Sequence, residues 1–172
     1  KFKTQDKKFS SGKFLRKNLF LIDSKYIKLL PELNLVLAGS RKVDFGLVDI
    51  QGFLDLYEIK KPSTELFNAT TDRGNYVWHP NAIKSIVQAE KYLFYAERNA
   101  ATLKESIKSE LNIDLEVIRP RAYVIMGTLA QLDNDNKKKD FRILKNQFKS
   151  IDVILYDELL DRLKNQMKRS EI

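Results

Sequence analysis

The 172-residue chain contains no cysteine and a single histidine, His79. The first absence excludes disulfides, zinc–thiolate centres and cysteine nucleophiles, and the second excludes chemistry built on a histidine pair. No run of about 18 apolar residues is present to span a bilayer. The Lys-rich start lacks the apolar stretch of a secretory signal, so the expected location is cytoplasmic. Walker, GxGxxG and Gly-x-Ser-x-Gly elements are also missing, which removes support for nucleotide hydrolysis and serine esterase chemistry. What remains is a chain with 43% hydrophobic and 10% aromatic residues, including 10 Phe and 7 Tyr, as a packed globule requires. The length fits one domain over residues 1–172. Residue 1 is Lys and not Met, so the sequence reads as part of a longer chain, with residues 1–12 as a linker from a preceding region.

The net charge of +8 is unevenly spread. Residues 1–30 carry nine basic and two acidic side chains, and residues 137–172 carry ten and six, so basic ends flank a mildly acidic middle. An enzyme that binds polyanions and holds a metal on carboxylates would show this balance, because phosphates need cations and Mg²⁺ needs acidic oxygens. Many basic soluble proteins share it, and Lys137, Lys138 and Lys139 also read as a solvated loop.

Apolar patterning predicts a helix within residues 6–19 and strand-like pieces at Tyr26–Leu30 and Leu33–Ala38. Two clear strands follow, Lys42–Val48 and Phe53–Lys60, and Pro62 ends the second because it has no amide hydrogen for a ladder. Pro80 opens a helix expected over Asn81–Ala101, with Ile83, Ile86, Val87, Leu93 and Phe94 on its buried face. Ala122–Thr128 reads as a strand, Lys138–Lys149 as a helix, Asp152–Tyr156 as a strand and Asp157–Lys168 as a closing helix. Leu132–Asp140 stands out as a polar segment. This order predicts an α/β sandwich.

The segment Arg41–Pro62, RKVDFGLVDIQGFLDLYEIKKP, carries the most chemistry. Alternation along a strand puts Leu54, Leu56, Glu58 and Lys60 on one face and Asp55 on the other. If Ile50, Gln51 and Gly52 form a three-residue loop with Gly52 left-handed, Asp49 pairs with Phe53. Asp44 then falls opposite Glu58. A loop one residue longer or shorter would shift this register by one position. Two opposed carboxylates repel, and a bound cation removes the conflict. Mg²⁺ suits such oxygens, lowers the pKa of bound water and stabilises charge on phosphorus, with Lys60 placed to hold the water or offset that charge. A surface salt-bridge cluster is the competing reading. The apolar residues on the same face and the paired Asp44 favour the metal.

These residues resemble the PD-(D/E)xK nuclease superfamily, with Asp44, Glu58 and Lys60 at its three motif positions and Val43 where proline is common. Gln88–Tyr92, QAEKY, resembles the Gln-x-x-x-Tyr element of the RecB-like branch. Gln88 and Tyr92 share a helical face, with Tyr95 nearby. The runs LVDIQGFLDLYEIKKPSTELF, GNYVWHPNAIKSIVQAEKYLFYAE and VILYDELLDRLK, within Phe14 to Lys168, look like the nuclease domain of Shedu anti-phage defence proteins. The resemblance implies a restriction-endonuclease-like three-layer sandwich, a central mixed sheet flanked by helices. It implies cleavage of DNA, phage DNA in particular, with Mg²⁺ or Mn²⁺ held by Asp44, Glu58 and the carbonyl of Ile59, Lys60 acting on the water and Gln88 assisting. It also implies a homo-oligomer and a regulatory amino-terminal region outside this chain. The rival expectation is a nuclease-fold module that binds nucleic acid or oligomerises without cutting.

Other residues carry two readings each. His79 either contacts phosphate or caps a helix, with capping favoured because a metal mechanism needs no histidine. Arg73 and Lys61 are phosphate ligands or solvated cations. Asn75, Tyr76 and Trp78 contact nucleic acid or pack, with Trp78 the more natural core anchor. Glu32 is an additional metal ligand or, after Pro31, a turn residue.

Overall fold

The computed structural model describes residues 23–36 and 41–170. The helix expected within residues 6–19 lies outside them. Three strands form an antiparallel meander, β1 (Tyr26–Pro31), β2 (Phe45–Asp49) and β3 (Leu54–Ile59). Two more, β4 (Ala122–Ile125) and β5 (Ile151–Ile154), continue the sheet parallel to β3. The spatial order is β1-β2-β3-β4-β5. Parallel neighbours need crossovers, supplied by helices α1 (Pro80–Arg98) and α2 (Ala100–Leu111) before β4 and α3 (Asp135–Lys145) before β5, with α4 (Tyr156–Ser170) closing the fold.

Both faces of the sheet are covered, which is why all six residues of β3 are buried. Leu54 and Leu56 belong to the larger core with Ile86, Ala89 and Leu93 of α1. Phe45, Tyr57 and Ile125 belong to the second, with Leu159 of α4. The architecture is the three-layer α/β sandwich with a mixed central sheet. Asp55 points into the second layer, where it accepts hydrogen bonds from the Tyr26 hydroxyl at 2.7 Å, the Lys25 ammonium at 3.0 Å and the Arg121 amide at 2.8 Å. Burial opposes the Lys25 charge, but the hydrogen bond and charge of Asp55 prevail and raise its pKa.

Several elements differ from the sequence expectation. The long helix stops at Arg98, because Asn99 leaves helical geometry and donates its side-chain amide to the Leu35 carbonyl at 2.8 Å; α2 then starts afresh. The buried face of α1 also differs. Ile86 and Leu93 are buried as expected, but Ile83, Val87 and Phe94 are 40, 48 and 55% exposed. The inward face is instead built on Ala82, Ala89 and Ala96, whose seven-residue spacing forms a small-residue row that lets the helix lie close to the sheet. In the polar Leu132–Asp140 segment, Asn134 caps α3 by accepting from the Lys137 amide, so this helix starts and ends earlier than the apolar pattern indicates. Within the described part of the Leu33–Ala38 piece there is a single bridge, Asn34 to Lys42, and no regular strand.

Candidate active site

The turn between β2 and β3 sets the geometry of the site. Asp49 Oδ1 accepts from the amides of Gln51 and Phe53, each at 2.9 Å, and Gly52 takes a left-handed φ of 88°. The Asp49 amide donates to the Phe53 carbonyl at 3.0 Å, closing the expected loop. From that closure the ladder pairs Val48 with Leu54, Gly46 with Leu56 and Phe45 with Tyr57. One position further, Asp44 lies just outside the regular strand, yet stays beside Glu58. Its Oδ2 accepts the Ile59 amide at 2.7 Å, and its carbonyl accepts the Glu32 amide at 3.0 Å. The two carboxylates therefore come together as the spacing predicts.

The pair is electrostatically uncomfortable. Glu58 is 7% exposed. Burial first, and the Asp44 charge second, raise its pKa above the ordinary carboxylate value, and Lys60 only partly compensates. The Lys60 ammonium donates to Glu58 Oε1 at 2.6 Å and to Gln88 Oε1 at 2.8 Å, bridging β3 and α1.

Gln88 is itself held. Its Nε2 donates to the Tyr92 hydroxyl, which donates onward to the Lys42 carbonyl at 2.8 Å. Burial and then the Glu58 charge raise the Tyr92 pKa, so the hydroxyl keeps its proton and goes on donating. This chain runs from the residues just before Asp44, through α1, back to Lys60. The sequence spacing of Gln88 and Tyr92 indicates a common helical face but could not reveal the main-chain acceptor at Lys42. Lys84, one turn before Gln88, lines the same groove as Lys60 and Gln88, and no sequence motif singles it out.

The remaining candidates have other places. His79 Nδ1 accepts the Asn81 amide at 3.1 Å and caps α1, and its Nε2 lies 3.3 Å from Glu65. Trp78 is 9% exposed and packs on Phe67 and Phe141. Tyr76 stands against Phe67, with its amide on Asp140 at 2.8 Å, while Asn75 is exposed. Arg73 occupies an exposed hairpin tip with φ of 50°, and Glu32 occupies a turn with φ of 49°. Lys61 is exposed in the groove that Lys60 lines.

Among the described residues no three His, Cys, Asp or Glu side chains converge on a metal position. Two carboxylates with a neighbouring main chain form a hard-oxygen donor set. That set fits a cation that keeps waters and accepts substrate oxygens, as Mg²⁺ and Mn²⁺ do, and does not fit a closed zinc centre.

Comparison with known proteins places this arrangement in context. The family model described as "Shedu protein SduA, C-terminal" matches residues 10–160. Shedu protein SduA of Bacillus cereus (strain B4264) is 29% identical over 118 residues, covering 67% of this chain and 31% of the relative. The chain thus spans about a third of the length of the curated relative it matches.

Proposed function

This chain belongs to the family of Shedu protein SduA C-terminal domains, and from that premise we propose that it is a metal-dependent DNA endonuclease of PD-(D/E)xK type serving bacterial anti-phage defence. The observation that carries the proposal is the convergence of Asp44, Glu58, Lys60 and Gln88 at one corner of the sheet, with Glu58 and Lys60 in contact at 2.6 Å. The elevated pKa of Glu58 supports it, since a carboxylate raised by burial and a neighbouring acid gains most from a bound cation.

Asp44, Glu58 and the Ile59 carbonyl would hold Mg²⁺ or Mn²⁺, which when bound acidifies water and stabilises charge on phosphorus. Lys60 orients the attacking water and offsets charge on the scissile phosphate. Gln88 holds the ammonium in place, and Tyr92 holds Gln88. Glu58 and Leu56 lie on the same sheet face, so the water-excluding side of the site is apolar. The enzyme acts on phage DNA in the bacterial cytoplasm, as a homo-oligomer, within a longer protein whose other regions regulate cleavage.

The test is Lys60→Ala assayed for nicking of supercoiled plasmid with Mn²⁺. Cleavage should fall by about 10²–10⁴-fold with the melting temperature retained. Full nicking by the folded variant ends the proposal. A module that only binds nucleic acid would give no nicking by the unaltered chain, and no Mn²⁺ site dependent on Asp44 and Glu58.

A further inference from the structure

Two grooves meet at the candidate site. One, of about 340 Å³, is lined by Lys60, Lys61, Lys84 and Gln88 among others. The second, of about 520 Å³, lies between residues 41–42 and α1, and its charged lining is Arg41, Lys42, Lys84 and Lys91. Lys84 and Gln88 line both. Together the two grooves are lined by six cations and no acid.

Cations elsewhere on the surface are in part paired and in part, as at Lys28 and Lys149, not paired among the described residues; the groove cations differ in being clustered with no acid in their lining. Lys104, Lys108, Lys137, Lys138 and Lys145 each have a carboxylate within 4.0 Å. Among the described residues Arg41, Lys42, Lys61, Lys84 and Lys91 have none within that distance. Gathering these exposed cations around Lys60 with no acid in the groove lining raises their mutual repulsion, which a bound polyanion would relieve. The helix orders the groups further. Lys84 and Lys91, seven residues apart, form a row along α1 between the Gln88 face and the exposed Ile83 and Val87. A strand of nucleic acid presents this combination, charged phosphates on one side and apolar sugar and base faces on the other.

We propose that Lys84, Lys91 and Arg41 form a phosphate track that receives the DNA backbone next to the scissile phosphate, with Lys61 continuing it past Lys60 on the other side. The proposal rests on the nuclease reading for its substrate, and it adds the path that the substrate takes. Each cation neutralises a backbone phosphate, so each contributes to the salt dependence of binding and none to base recognition.

The experiment measures binding of a fluorescein-labelled DNA duplex by anisotropy in EDTA, across a salt series, so that cleavage plays no part. Lys84→Ala/Lys91→Ala should weaken binding by about tenfold or more and reduce the slope of log K against log salt by about two. Lys138→Ala/Lys139→Ala, which removes the same net charge on α3, should keep the slope of the unaltered chain. Equal losses in both double variants, or no loss in the first, overturn the track. Circular dichroism melts confirm that both variants fold. A slope carried by Lys84 and Lys91 in a chain that never nicks DNA upholds the track while refuting the nuclease. Nicking that persists with an unchanged slope in Lys84→Ala/Lys91→Ala does the reverse.

Discussion

Glu58 is where the cost of the site is concentrated. Its pKa is raised in the folded state, by burial and by Asp44, so the folded protein binds more protons than the unfolded chain between the two pKa values. Stability contributed by this group is therefore present at low pH and lost as pH rises through the folded pKa. Glu58→Gln cannot ionise. In the metal-free protein, the stability of the variant relative to the unaltered chain should rise with pH across and just above the carboxylate range. Urea melts at a series of pH values check this, and a parallel pH dependence in the two proteins would refute it. The three motif residues were legible from spacing alone, because strand alternation and one loop length place Asp44 near Glu58 and put Lys60 on the same face. The support given by the Ile59 amide, the Lys42 carbonyl and the Glu32 amide was not legible. Main-chain groups carry no side-chain signature, and these contacts join residues far apart in sequence.

Secondary elements were readable where pattern and period agree. β3 was, because a strand covered on both faces is continuously apolar apart from Asp55 and Glu58, both of which have partners. The inward face of α1 was not, because large apolar residues dominate a periodicity argument while Ala82, Ala89 and Ala96 make the close contact. Helix ends were misplaced where a cap decides them, at Asn99 and Asn134. The end of β4 offers a test of packing at this scale. Gly127 has φ of 67°, and a Cβ there would lie 2.7 Å from two side-chain carbons of the fully buried Leu66. Gly127→Ala should lose about 2 kcal/mol or more through backbone strain and overpacking. A chemical melt within about 0.5 kcal/mol of the unaltered protein would show that Leu66 yields freely.

The fold joins two halves with different tasks. An antiparallel hairpin delivers the acids, and the first crossover helix delivers Gln88 and the exposed cations, so the proposed chemistry sits where β3 and α1 meet. The overall charge of +8 is compatible with a polyanion partner but does not say where one would bind. The placement of unpaired cations around Lys60 depends on tertiary contacts and is not visible in a charge count. Asp55 provides the whole-molecule contrast, since it is also a buried acid on β3 but is satisfied by three hydrogen-bond donors, one of them the Lys25 ammonium. The two acids should therefore part company when a metal is offered. Isothermal titration with Mn²⁺ should reveal one site in the unaltered chain, retained in Lys60→Ala and abolished in Asp44→Asn and in Glu58→Gln while both still fold. Undiminished Mn²⁺ heat in the two folded carboxylate variants would mean that the metal binds elsewhere and that the proposed centre is not one.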